Sequence, residues 1–265
     1  MLEVADSALT AGHIATEDPY ALDPGLPATK GLSELRTRGF DCAVLEGSPA
    51  ERFVTTAALE RCEPSAVVRE VAKPITTREL IHGGAPLTHA IQRLKERRVL
   101  FVLMPGGELG ICTVADLGRP AVGMIVLALI LAAEAGLVTL LSESPGAQLE
   151  AEMARCLSEA TCEEARGRHR EKRRRNADLS LAASLTFEMR LELVRCSDDR
   201  RARLGYTSKS SVEREKKSLS RTRNELAHAG DLLSLTNGDP VQAIEEVDRV
   251  RDFADRVLRA LNGGP

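Results

Sequence analysis

Residues 221–230 read RTRNELAHAG, and three side chains in that stretch could work together on a phosphate ester. Histidine takes and gives a proton near neutral pH. Arginine offers a planar fork of N–H donors to charge developing on phosphoryl oxygens. Asparagine can orient either the histidine or the phosphate. Arg223, Asn224 and His228 in these roles suit RNA cleavage, in which the 2′-hydroxyl attacks the adjacent phosphorus. The products carry a 2′,3′-cyclic phosphate and a 5′-hydroxyl. Such a reaction needs no metal, and the sequence has no His, Cys and Asp cluster at metal-ligand spacing. No cofactor is therefore expected for catalysis.

A helix must carry these residues. Val212, Leu219 and Leu226 recur every seven positions and mark its buried seam. Ser210 with Glu213 reads as a capping box, and Gly230 as the C-terminal cap. Arg223 falls on the seam, where a buried charge needs a partner. Asn224 and His228 are four apart and share a face about 140° around from it. One candidate partner is Glu134, the lone charge in AVGMIVLALILAAEAGLVTLL at 121–141. The bland alternative is that Glu134 faces the surface. The apolar stretch reaches the roughly 20 residues that span a bilayer. A carboxylate is costly in lipid, however, and the flanks give no topology signal. We read it as the core helix of an all-α domain, with no membrane partner.

Other helices are expected near 147–176, 177–196, 210–229 and 239–262, with a loop through 197–208 and no strand-like alternation. The first of these ends in RGRHREKRRR at 166–175, seven Arg and Lys in ten residues. Such a run is commonly a solvated face. In a chain of net charge −3 it also concentrates positive charge, so Arg173, Arg174 and Arg175 are expected to contact RNA. Without interleaved aromatics they would meet the phosphate backbone and not read bases.

Arg223-Asn224-x-x-x-His228 resembles the defining motif of HEPN domains, many of which are ribonucleases. That family carries it on a late helix of a small α-bundle. The resemblance implies that Arg223, Asn224 and His228 are catalytic, with Glu134 as the polar residue of an earlier helix aimed at the motif. It also implies a homodimer whose two motifs face each other across a cleft. On one straight helix Arg223 and His228 do not point the same way, and a second copy removes that difficulty.

The first half repeats itself. YALDPGLPATKGLSEL at 20–35 is similar to ELIHGGAPLTHAIQRL at 79–94, with Pro27 matching Pro86. In each copy a helix starts at the proline (Pro27–Thr37 and Pro86–Glu96), then comes an apolar strand (40–45 and 99–104). A glycine turn and a short strand come next, then TTAAL at 55–59 or TVADL at 113–117. The pattern resembles a tandem pair of CBS domains over about residues 10–118. That resemblance implies an adenosine nucleotide as a small regulatory ligand, bound by Thr113 and Asp116. Its first copy has Thr55 but Ala58 where the acid belongs, which puts a second site in doubt. Thr-x-x-Asp is also an ordinary helix cap.

Composition is that of a soluble globular chain, 43% hydrophobic and 28% charged, and the net charge argues against a protein basic all over. The six cysteines form no Cys-x-x-Cys pair and the N-terminus has no secretion signal, so a reduced, cytoplasmic protein is expected. The expectation is an α+β tandem CBS repeat (1–118) followed by an all-α HEPN-like bundle (119–265). Its function is a nucleotide-regulated endoribonuclease in a toxin, stress or antiphage role, with an antitoxin as a candidate partner. The alternative is a non-catalytic CBS–HEPN protein that binds a nucleotide or a partner.

Overall fold

Pro27 and Pro86 each stand immediately before a helix, in the cap position with extended ψ and not as the first helical residue. The computed structural model describes residues 8–47, 52–175, 179–228 and 230–263. It divides into two compact units, Asp6–Val122 and Gly123–Pro265.

The N-terminal unit builds one plan twice. Its first copy runs β1 (Ala21–Leu22), α1 (Ala28–Arg38), β2 (Cys42–Leu45), β3 (Arg52–Thr55) and α2 (Thr56–Arg61). A short β4 (Lys73–Pro74) follows. The second copy runs β5 (Leu80–His82), α3 (Leu87–Glu96), β6 (Val99–Leu103), β7 (Leu109–Thr113) and a 3₁₀ turn at Val114–Gly118. β1 is parallel to β2 and β5 to β6, whereas β2–β3 and β6–β7 are antiparallel. Each helix buries one stripe, Ala28, Gly31 and Leu35 in α1 and Leu87, Ala90, Ile91 and Leu94 in α3. Phe53 and Phe101 meet edge-on at 5.0 Å and join the cores of the two sheets.

The two copies also exchange segments, which the sequence repeat did not reveal. The Ala28 N–H donates to Ala66, ahead of the second copy, and the Leu87 N–H donates to Leu9, ahead of the first. Thr16 pairs with Ile111 on β7 much as Lys73 pairs with Phe53 on β3.

The C-terminal unit has no strand among its described residues. Its helices are α4 (Pro120–Ser142, which begins just before the unit), α5 (Gly146–Cys156), α6 (Glu159–Arg174), α7 (Phe187–Cys196), α8 (Asp198–Arg203), α9 (Lys209–Ala227) and α10 (Pro240–Leu261). The helix expected over 147–176 breaks at Leu157, because Ser158 caps a new start by accepting the Thr161 N–H. Thr186 likewise starts α7 later than expected, and Ser197 starts α8 inside the expected loop. Ser208, not Ser210, caps α9, and His228, not Gly230, is its C-cap. Val212, Leu219 and Leu226 are buried as their spacing predicts.

α4 is long and apolar enough to cross a membrane by length and composition, and half of its most apolar window is buried. Gly136 lets it approach α10 closely, since a Cβ there would lie 2.5 Å from Val257 Cγ1. Met124 and Leu131, seven apart on α4, are exposed.

Candidate functional site

Glu134 does not face the surface. Its Oε1 accepts a hydrogen bond from Arg223 Nε at 2.6 Å, and its Oε2 accepts one from Arg190 Nη1 at 3.2 Å. The Glu134 side chain is 14% exposed and that of Arg190 9%, whereas Arg223 is 37% exposed. Arg190 also donates from Nε to the Ala182 carbonyl. Burial pulls the Arg190 guanidinium below its ordinary pKa, and the charge of Glu134 opposes that pull. The argument that flags Arg223 applies equally to Arg190, which sits between Met189 and Leu191 on an amphipathic helix.

This ion triad forms one wall of a cavity of about 420 Å³. Four cations line it, Arg168, Lys172, Arg190 and Arg223, against the carboxylates Glu134 and Glu188. Asn224, Thr186 and the serines Ser184 and Ser220 complete its polar lining. Arg168 and Lys172 come from the basic run. They are four apart on α6, and both reach the turn at Leu181–Ser184, Lys172 Nζ donating to Ala183 O at 2.9 Å and Arg168 Nε to Ser184 O at 3.0 Å. Arg173, Arg174 and Arg175 are exposed at the end of α6 and do not line the cavity. Arg175 pairs with Glu171. The side chains of the run that turn inward are those of Arg168 and Lys172, one helical turn apart.

The motif is only partly assembled. Arg223 and Asn224 line the cavity, but His228 does not. His228 lies exposed one turn beyond Asn224 on the same face, its N–H donating to the Asn224 carbonyl at 3.1 Å. Gly230 closes the helix end by donating to Glu225 O. No group of three or more His, Cys, Asp or Glu among the described residues could hold a metal ion.

The N-terminal unit holds a second cavity of about 460 Å³, and Thr113 and Asp116 line it together with Tyr20 and Phe40. The two rings lie 5.5 Å apart, and Arg38 stacks over Tyr20 at 4.6 Å. Asp116 accepts from the Thr113 N–H at 2.7 Å and its hydroxyl at 3.0 Å, which is a capping box. Its other oxygen takes Arg119 Nε at 2.7 Å, and Arg119 reaches on to Thr16. Burial, reinforced by Asp41 and Asp116, pushes the Cys42 thiol on this wall up to about 12.

No protein-family model matches the chain, and no curated protein matches its sequence. Solved structures do. A CBS domain-containing protein from Bacillus anthracis is 15% identical, with 43% of this chain and 93% of that one aligned at a TM-score of 0.36. CBSX2, a CBS-pair protein of Arabidopsis thaliana, is 19% identical over 43% of this chain and 94% of its own, also at 0.36. The CBS domain of a bacterial CNNM/CorC family Mg²⁺ transporter, solved with ATP, is 12% identical over 47% and 92%, at 0.37. The N-terminal half is similar in fold to CBS-domain pairs. Its repeat also relates the Asp116 cavity to a smaller one of about 260 Å³ at Thr55 and Ala58. That one has alanine where its counterpart has a carboxylate, and Arg97 and Arg98 line it.

Proposed function

We propose that the C-terminal unit is a metal-independent endoribonuclease of the HEPN type. The way Glu134 holds Arg223 supports this reading. The carboxylate takes Nε, and no described residue takes either terminal amino group, so both stay available beside a cavity rich in cations. His228 receives the proton of the 2′-hydroxyl as that oxygen bonds to phosphorus. Charge gathers on the non-bridging oxygens, where the Arg223 fork and the Asn224 amide donate. The bond to the 5′-oxygen breaks, and that oxygen leaves as a hydroxyl with a proton taken from water, the hydroxide so formed being neutralised by the proton His228 received.

His228 joins the cavity when two copies meet and one copy's histidine serves the other's Arg223. Met124 and Leu131 are the apolar face such a dimer buries. A Cβ added at Gly123, beside Met124, would lie 3.4 Å from Leu226 Cδ2 and 3.9 Å from the Gly230 carbonyl, so this part of α4 runs past the His228 end of α9. The N-terminal unit binds an adenosine nucleotide as regulator, with Tyr20 and Phe40 against the base and Asp116 accepting from the ribose hydroxyls in place of Arg119. A cytoplasmic toxin or stress effector, restrained by an antitoxin or by the nucleotide, fits this pairing.

The test is cleavage of RNA by the full chain in EDTA. Arg223→Ala and His228→Ala are each expected to lower the rate by about 100-fold or more. One observation favours a second reading, in which the cavity binds a phosphorylated ligand without cutting it: His228 lies outside the cavity lining. On that reading His228→Ala keeps its ligand and no RNA is cut by any form.

A further inference from the structure

The Ser220 hydroxyl is buried and has no hydrogen-bond partner. It stands on α9 one turn before Asn224 and lines the same cavity as Arg223. A helical serine or threonine can relieve such an orphan hydroxyl by bonding the carbonyl four residues back. Thr222 does so, donating to Ser218 O at 3.1 Å, but Ser220 does not. A buried hydroxyl left unpaired carries a desolvation cost that a ligand can remove.

Across the cavity the unspent groups are donors as well. Lys172 commits one of its three N–H bonds, to Ala183 O, and Arg190 has Nη2 left after Nε binds Ala182 O and Nη1 binds Glu134. Among the described residues nothing else takes these donors. Of the two carboxylates lining the cavity, Glu134 is already shared by two arginines, and Glu188 is exposed. Spare donors, two cations and an orphan hydroxyl together call for a ligand that only accepts and carries negative charge. A phosphate group has that chemistry.

We propose that Ser220, Lys172 and Arg190 form a second phosphate subsite, inside the one at Arg223 and Asn224, which holds the phosphodiester next to the one being cut. Ser220 and Asn224 are about 6 Å apart along the helix axis, close to the separation of successive phosphates along a strand. RNA as the occupant rests on the ribonuclease reading, whereas the anion site itself does not.

Two measurements keep those claims separate. The first titrates inorganic phosphate into the full chain in EDTA, by calorimetry and by thermal unfolding. Phosphate is expected to raise the Tm of the wild type, and Ser220→Ala and Lys172→Met are each expected to weaken binding by about 10-fold. Ser220→Ala removes an orphan hydroxyl, so its Tm without phosphate should not fall, which guards against simple misfolding. Wild-type protein that binds no phosphate, or variants that bind it equally well, would overturn the subsite. The second compares a trinucleotide, with two phosphodiesters, against a dinucleotide with one. The trinucleotide should be cut with about 10-fold higher kcat/KM, an advantage that Ser220→Ala removes. Equal rates on both substrates would overturn the assignment to RNA's adjacent phosphate while leaving the nuclease intact. Phosphate binding lost in the variants, with RNA uncut by every form, would keep the anion site and sink the nuclease.

Discussion

Glu134 is one carboxylate shared by two arginines from different helices, and each of the three is costly to bury alone. Replacing it with glutamine keeps the shape but leaves Arg190 and Arg223 without a counter-charge. Glu134→Gln is therefore expected to destabilise the chain by about 3 kcal/mol in urea unfolding. An unchanged midpoint would show that solvent already screens the triad. At this scale the sequence was informative where a charge broke an apolar pattern. Glu134 in its apolar helix and Arg223 on its seam could both be seen in that way, and so could their pairing. Arg190 obeys the same rule but lies in FEMRLELVRC, where frequent charges hide the one that turns inward. Ser220 gives no sequence signal, because a serine on a helix is ordinary until its hydroxyl proves to be buried and unpartnered.

The helices that place these residues were visible as apolar periods, while their breaks were not. Each break is set by one serine or threonine that bonds a nearby N–H, as at Ser158, Thr186 and Ser197, and such residues are common outside caps too. α7 and α9, which carry Arg190 and Arg223, are clamped together by charge. Glu192 on α7 is bonded by Arg195 of its own helix and by Lys216 of α9. Arg195 foremost, then Lys216, holds its carboxyl below the usual glutamate range in spite of partial burial. A depressed folded pKa stabilises fully above the unfolded value near 4.5, and that stability is lost as pH falls through the folded value. The fold should thus weaken below about pH 4.5, and Glu192→Gln should flatten that acid limb in unfolding measured from pH 6 to 3. An equally steep limb in the variant would assign the acid sensitivity to other groups.

At the scale of the molecule, the tandem repeat of the N-terminal unit was legible because it recurs with proline, glycine and threonine at matching places. The exchange of segments between its copies was not, since backbone hydrogen bonds such as Ala28 to Ala66 leave no mark on side-chain type. Basic residues were found as a run, but only the helix decides that Arg168 and Lys172 turn inward while Arg173, Arg174 and Arg175 point out. The proposed dimer is testable in solution. Sedimentation should give twice the mass of one chain, and Met124→Glu with Leu131→Glu should yield folded monomers that cut RNA far more slowly. Monomers of full activity would place the whole site in one copy.

The most direct test of the central proposal is the chemistry of the RNA ends left after incubation with the full chain in EDTA. The account predicts 2′,3′-cyclic phosphate and 5′-hydroxyl ends, formed by the wild type and lost with His228→Ala. Ends bearing a 5′-phosphate, or identical cleavage by His228→Ala, would contradict it.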